Sequence, residues 1–297
     1  MTSTNWETHM DIGFIGMGVM GRPMAANLVA AGHRLTVHRD TPAAREVLGT
    51  SVRYAASPAE ASRDSDVVVL MLPDTPDVEA VMRDADGVLG AVRPGTLVID
   101  MSSISPAAER QLAEEAGRFG ATYLDAPVSG GEIGARDGTL SIMVGGDPDA
   151  VDRARPILEV LGSRTAHIGA VGAGQTAKIA NQIVVGMTIE AVAEAMRLVE
   201  AAGVDPDAVH SALMGGFASS RVLEVHGPRM IKREFEPGFR IRLHRKDLGL
   251  ATEAASRLGV SLPGASLVHG LMNAAVDAGL GDSDHSALRL VPGDLAS

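Results

Sequence analysis

IGFIGMGVMGRPMAANLVAAG (Ile12–Gly32) decides the fold. Ile12–Gly16 is apolar or glycine and reads as a short strand. Met20–Ala31 then spaces its apolar residues as a helix does. Between them Gly16-Met17-Gly18-Val19-Met20-Gly21 fits G-x-G-x-x-G. A strand before that pattern and a helix after it are the context in which it binds a dinucleotide. Gly16 permits the tight turn, Gly18 lets a pyrophosphate approach the backbone, and Gly21 allows the helix to pack closely on the strand. The loop N–H groups and the positive end of the helix favour the anion. The pattern alone also fits a glycine-rich turn of some other α/β protein.

Downstream, the same alternation continues. Arg34–His38 reads as a second strand. VVVLML (Val67–Leu72) is apolar at every position, which marks a parallel strand buried on both faces. LVIDM (Leu97–Met101), TYLDAP (Thr122–Pro127), LSIMV (Leu140–Val144) and AHIG (Ala166–Gly169) follow. Helical stretches lie between them, around Pro76–Arg83, Pro106–Phe119 and Asp149–Leu161. Such alternation means a doubly wound sheet. The pattern changes at Val171–Gly174. Gln175–Ala202 has no strand-like run and no proline, and it predicts one long helix. Lys178, Asn181, Gln182, Glu190, Glu194, Arg197 and Glu200 interrupt its apolar residues, a load that no membrane span carries. Beyond it Pro206–Met214, Ser219–Glu224, the region around Lys246–Arg257 and Ala265–Ala278 all read as helix. The expected architecture is an α/β Rossmann domain over residues 11–172. A long interdomain helix joins it to an all-α C-terminal domain over 173–297.

The 297 residues are enough for two cores. Only 3% are aromatic, so those cores must be built from Ala, Val, Leu, Ile and Met. A net charge of −11 argues against a nucleic-acid partner, which needs a basic face. An anionic small molecule needs only a few local positive groups. There is no cysteine, which excludes disulfides, thiolate catalysis and Cys-based zinc sites. The nine histidines show no HExxH spacing, so no metal is expected. Met1–Met10 is polar, with no apolar signal core, and reads as a frayed extension of a cytoplasmic protein.

Four features can carry chemistry. Asp125-Ala126-Pro127-Val128-Ser129-Gly130-Gly131 ends a strand with a hydroxyl and two glycines. It offers O–H and N–H donors to a carboxylate, or is simply a strand-end loop. Lys178 lies near the start of the long apolar helix, with Asn181 and Gln182 at i+3 and i+4 on the same face. Desolvation makes an ammonium a better proton donor near neutral pH, and a carbonyl reduced by hydride needs one. The other account of Lys178 is a side chain snorkelling at the helix end. Lys246-Asp247 follows the basic stretch Arg240–Arg245 and suits an anionic substrate or cofactor phosphates, or is a solvated helix face. At the end of the second strand stands His38-Arg39-Asp40-Thr41. An acid there favours NAD through the ribose hydroxyls, whereas an Arg accommodates the 2′-phosphate of NADP. With both residues present, NADP and NAD are both candidates, and the reading leans slightly to NADP. Arg39 is equally well read as a solvated turn residue.

These residues resemble the β-hydroxyacid dehydrogenase family. The resemblance runs from about Asp11 to Leu288 and has four blocks in order: GFIGMGVMGRPMAANL, DAPVSGGEIGARDGTLSIMVGG, GAGQTAKIANQ and PGFRIRLHRKDL. DMSSISP (Asp100–Pro106), Glu132, KIANQ (Lys178–Gln182), MGGFASSRVLEVHGPRMIKR (Met214–Arg233) and DHSAL (Asp284–Leu288) are similar to the subgroup that interconverts tartronate semialdehyde and glycerate. His38–Thr41 departs from that subgroup. The resemblance implies Lys178 as general acid in reduction and base in oxidation, with Asn181 positioning the substrate oxygen. It implies Ser129, Gly130 and Gly131 as carboxylate binders and Gly16–Gly21 as the cofactor loop. It places Ser103 near the nicotinamide, Leu72 and Pro73 on the adenine side, and Lys246 near the cofactor, closing the site. It also implies a small carboxylate substrate and a homodimer or homotetramer. Other 3-hydroxy acids, such as 3-hydroxyisobutyrate, are the nearest alternative. An imine reductase is disfavoured by Lys178, and a non-catalytic nucleotide-binding module by intact Lys178, Asn181 and Ser129-Gly130-Gly131.

Overall fold

β1 (Asp11–Ile15) shows why the first half of the chain is a layered sheet. Ile12 and Phe14 enter one apolar cluster, while Ile15 enters another on the opposite face. β4 (Val67–Leu70) repeats this, with Val67 and Val69 on one side and Val68 and Leu70 on the other. β5 (Leu97–Asp100) does the same through Leu97 and Ile99 against Val98. Side chains alternate across a strand, so an unbroken apolar run must be covered on both faces. The computed structural model describes residues 9–291 and supplies those covers. On one face lie α1 (Gly21–Ala30), through Met24, Ala25 and Leu28, and α7 (Pro148–Leu161), through Ala154, Ile157 and Leu161. On the other lie α4 (Thr75–Arg83), through Val78 and Met82, and α5 (Pro106–Arg118), through Leu112 and Ala116.

The sheet runs β3 (Arg53–Ala55), β2 (Arg34–His38), β1, β4, β5, β6 (Thr122–Asp125), all parallel. It continues antiparallel into β8 (Leu140–Gly145), which pairs with β7 (Val128–Ser129) and with β9 (Gly162–Gly169). The chain winds one way from β1 to β2 and β3, and the other way from β4 onward. The crevice between the carboxyl ends of β1 and β4 is therefore the switch point where such sheets take ligands.

Short elements missing from the expected set are α2 (Pro42–Leu48), α3 (Pro58–Ser62), β3, β7 and α6 (Gly131–Asp137). AHIG is the end of the longer strand β9, and the strand expected over Thr122–Pro127 stops at Asp125. The expected extension lies mostly outside the described residues, as do the last six positions.

The chain divides into two compact units, one up to Lys178 and one from Ile179. α8 (Ala173–Ala201) crosses that division. The second unit is helical: α9 (Pro206–Met214), α10 (Arg221–Lys232), α11 (Ile241–Leu258), α12 (Pro263–Asp277) and a closing 3₁₀ turn at His285–Leu290. Its core is Ile189, Met196, Leu223, Met230, Ile241, Leu248, Leu271, Met272 and Leu288. α10 is longer than the expected Ser219–Glu224, because it continues through Gly227 and Pro228. No helix among the described residues is long and apolar enough to cross a membrane.

Candidate active site

The loop after β1 has the shape its glycines predict. Gly16 has φ +113, and a Cβ there would stand 2.1 Å from the carbonyl oxygen of Met71. That contact binds the loop to the end of β4, where Met71 N–H donates to the Ile15 carbonyl at 2.9 Å. A Cβ at Gly21 would meet the Gly16 carbonyl at 1.8 Å. Gly18 faces open space, is exposed and sits beside the exposed Val19. Arg22 donates to the Met17 carbonyl at 3.1 Å and holds the loop from behind.

Helix termini divide into two groups. In the first unit α2, α3, α4, α5 and α7 carry side-chain caps from Thr41, Ser57, Asp74, Ser105 and Asp147. α1 and α6 carry none. Helix N-terminal N–H groups lacking a side-chain acceptor can serve an anion. These two are the termini that the sequence assigns to the pyrophosphate and to a carboxylate. The open cradle at Gly18 and the uncapped α1 together fit a dinucleotide. At α6, Gly130 and Gly131 have φ +137 and +62, conformations that side-chain-bearing residues rarely adopt. Asn27 of α1 donates to the Ala135 and Arg136 carbonyls at 2.9 and 3.3 Å, fixing α6 against α1.

Of three buried carboxyl groups that the sequence reading left without a role, Asp125 and Glu109 bond the start of α8 and Asp100 shares Tyr123 with Glu109. Asp125 ends β6 and accepts the N–H groups of Gly172 at 2.7 Å and Gln175 at 2.8 Å. Burial raises its carboxyl above the ordinary range against these bonds. Asp100 ends β5 and accepts from Ser102 N–H at 2.8 Å. Its burial pushes it up to about 6, again against its hydrogen bonds. Glu109 on α5 is fully buried and is raised well above its ordinary value, first by burial and then by the charges of Asp100 and Asp125. Ser102 Oγ accepts from Leu72 N–H at 2.9 Å, and Gln175 accepts from Ile104 N–H at 3.2 Å. One run of contacts thus links Gly16, Met71, Leu72, Ser102, Ile104 and Gln175. Lys178 lies one helical turn beyond Gln175 and is 7% exposed. Asp100 and Asp125 were legible as lone acids ending apolar strands, and Glu109 shares the inward stripe of Leu112 and Ala116.

Of the other expected residues, Leu72, Pro73 and Ser103 stand after β4 and β5, and Ser129 ends β7. Arg39 is exposed after β2 with φ +117, an uncommon conformation for a side-chain-bearing residue. Asp40 is clasped by Arg45 through two bonds of 2.6 Å. In the second unit Asn181 donates to Gln182 Oε1 at 2.8 Å, and Gln182 donates to Asp247 Oδ2 at 2.6 Å. Lys246 pairs with Asp247 at 3.1 Å. Asn181 and Lys246 are therefore joined through Gln182 and Asp247.

Among the described residues one group brings metal-ligand atoms together, His226, Asp284 and His285, within 4.8 Å. Asp284 already accepts from Ser286, Gly238 and Phe239, and Arg229 stands 3.4 Å away. A cation there would compete with a guanidinium.

Residues 11–169 match the NAD-binding domain of 6-phosphogluconate dehydrogenase. Residues 172–291 match the NAD-binding domain of NADP-dependent 3-hydroxyisobutyrate dehydrogenase. The chain is 50% identical to 2-hydroxy-3-oxopropionate reductase of Escherichia coli, over 94% of this chain and 96% of that one. It is 39% identical to the NAD-dependent L-serine dehydrogenase of Pseudomonas aeruginosa, over 94% and 96%. The solved structure of 3-hydroxyisobutyrate dehydrogenase of Mycobacterium tuberculosis with L-serine superimposes with a TM-score of 0.87, at 37% identity, covering 95% and 98% of the two chains. The chain belongs to the β-hydroxyacid dehydrogenase family and is an NAD(P)-dependent oxidoreductase.

Proposed function

We propose that this enzyme reversibly reduces tartronate semialdehyde to glycerate and prefers NADPH to NADH. The observation that carries the chemistry is Lys178, buried near the start of a helix whose first turn is bonded to the ends of β5 and β6. The substrate is supported by the identity with 2-hydroxy-3-oxopropionate reductase, 2-hydroxy-3-oxopropionate being tartronate semialdehyde.

The cofactor, when bound, supplies the hydride that reaches the aldehyde carbon. The Ser129 hydroxyl and the N–H groups of Gly130 and Gly131 hold the substrate carboxylate. Lys178 Nζ gives a proton to the developing alkoxide and takes it back in oxidation. Burial keeps bulk water from competing as the donor. The Asn181 amide orients the reacting oxygen, and Lys246 supplies a positive charge for the cofactor. Leu72 and Pro73 would line the adenine side of the cofactor, and Ser103 would stand near its nicotinamide. The NADPH preference is supported by exposed Arg39 and by Asp40, whose carboxylate is engaged by Arg45 rather than presented to a ribose.

The test is a set of initial rates with tartronate, methylmalonate and succinate semialdehydes, each with NADPH and NADH. The highest kcat/KM is expected for tartronate semialdehyde with NADPH. Faster turnover of methylmalonate semialdehyde would move the enzyme to the 3-hydroxyisobutyrate branch. The same reading takes the enzyme as a homodimer or homotetramer, supported by exposed Val184, Leu198 and Phe217. A monomer in sedimentation at micromolar concentration would remove that part.

A further inference from the structure

Tyr123, on β6, poses a problem of hydrogen counting. Its hydroxyl oxygen lies 2.7 Å from Glu109 Oε2 and 3.3 Å from Asp100 Oδ2. All three side chains are buried. The hydroxyl brings one hydrogen, and an ionised carboxylate brings none. With both carboxyls ionised, only one of the two contacts can be a hydrogen bond. The other sets a hydroxyl lone pair against a buried anion. One carboxyl proton satisfies both contacts. The second oxygens of the two acids are engaged elsewhere, Asp100 Oδ1 by Ser102 N–H at 2.8 Å and Glu109 Oε1 by Gln175 Nε2 at 2.6 Å.

We propose that Glu109 works as an un-ionised carboxylic acid, a positioning residue that donates its proton to Tyr123 and accepts from Gln175, and so fixes the turn of α8 that presents Lys178.

The shorter of the two contacts to Tyr123 belongs to Glu109. Burial and the neighbouring charges of Asp100 and Asp125 also raise its carboxyl well above the ordinary range. A buried carboxyl in an apolar setting is the kind that stays neutral and donates. What it holds is fully determined. The Gln175 amide gives one hydrogen to Glu109 and one to the Ser102 carbonyl at 2.8 Å, and it accepts from Ile104 N–H at 3.2 Å. Gln175 and Lys178 are three apart on α8 and share a face. Ser102 in turn takes the Leu72 N–H at 2.9 Å. Through Gln175, Glu109 ties the loops after β4 and β5 to the helix of Lys178. It does so without adding an anion to a site meant for an acidic substrate.

The positioning half rests on Lys178 as proton donor, whereas the protonation half does not. Glu109→Gln reproduces both bonds, because its amide donates to Tyr123 and its carbonyl accepts from Gln175. Glu109→Ala leaves both partners unsatisfied. Infrared spectra of the wild type at about pH 8, well above ordinary carboxyl titration, are expected to show the carbonyl stretch of a protonated carboxylic acid. That band should be lost in Glu109→Gln. With tartronate semialdehyde and NADPH, Glu109→Ala is expected to lower kcat about 10-fold or more, as mispositioning of a reacting group does, with NADPH affinity nearly unchanged. Glu109→Gln should restore kcat to within about threefold of wild type, a difference too small for loss of a catalytic group. If Glu109→Ala does not fold, the infrared band and the Gln variant decide. Absence of the band, or a Gln variant as impaired as Glu109→Ala, overturns the proposal. A band present with Lys178→Met still active would instead overturn the role of Lys178.

Discussion

Asp100→Asn should stabilise the enzyme above pH 6 and have little effect on stability in acid. The carboxyl is fully buried and raised from 3.8 to about 6. A folded-state value above the unfolded one means that the group's stabilising contribution is complete below 3.8. That contribution is lost as pH rises through about 6. The difference is roughly two units, or about 3 kcal/mol in total at 1.36 kcal/mol per unit. Of this, about 2 kcal/mol falls in the usable window from about pH 4.5 to 7.5. Asparagine carries no charge to desolvate and its Oδ1 still accepts from Ser102 N–H; it gives up only the longer, 3.3 Å bond from the Tyr123 hydroxyl. The assay is urea unfolding of wild type and Asp100→Asn across that window. The gap between the two stabilities should widen by about 2 kcal/mol with rising pH and then level off. A gap that stays constant, or narrows with rising pH, would refute the claim that burial dominates at Asp100.

Two further outcomes follow from the site. Arg39→Ala should weaken NADPH by about 1.5–3 kcal/mol, the scale of a lost hydrogen bond to a charged group, and leave NADH nearly unchanged. Equal small losses with both cofactors, measured by fluorescence titration, would make Arg39 a turn residue only. Ser129→Ala should raise KM for the carboxylate substrate with little change in NADPH affinity. An aldehyde lacking the carboxylate should be less sensitive, and a loss of cofactor affinity at constant KM would contradict the assignment.

Much of the fold was legible because its central strands are unbroken apolar runs. Val67–Leu70 and Leu97–Asp100 are buried at every position. What escaped was short or made only in three dimensions. β3 has three residues, of which only Ala55 is buried. α6 contains two glycines among seven residues and is fixed by Asn27, far away in sequence. α10 contains Gly227 and Pro228, which read as a stop. A Cβ at Gly227 would lie 2.6 Å from His210, so that glycine serves packing against α9 rather than termination. The site divides in the same way. The Gly16–Gly21 loop, Ser129–Gly131 and Lys178 sit in contiguous motifs with chemical reasons for their spacing. The network of Asp100, Glu109, Tyr123 and Gln175 has no spacing to read. Ser102 and Gln175, which hydrogen bond directly, are 73 residues apart.

The central claim is that Lys178 supplies the proton. Methionine at that position keeps much of the length and packing and removes the donor. Loss of general acid catalysis costs about 10²–10⁴ in rate, and kcat for tartronate semialdehyde reduction should fall by at least that much. NADPH binding and the melting curve should be close to wild type, because the phosphate loop follows β1 and is held there by the Met71 N–H bond to Ile15 and the Arg22 bond to Met17. A Lys178→Met enzyme that folds, binds NADPH and retains more than about a tenth of wild-type kcat would contradict the account.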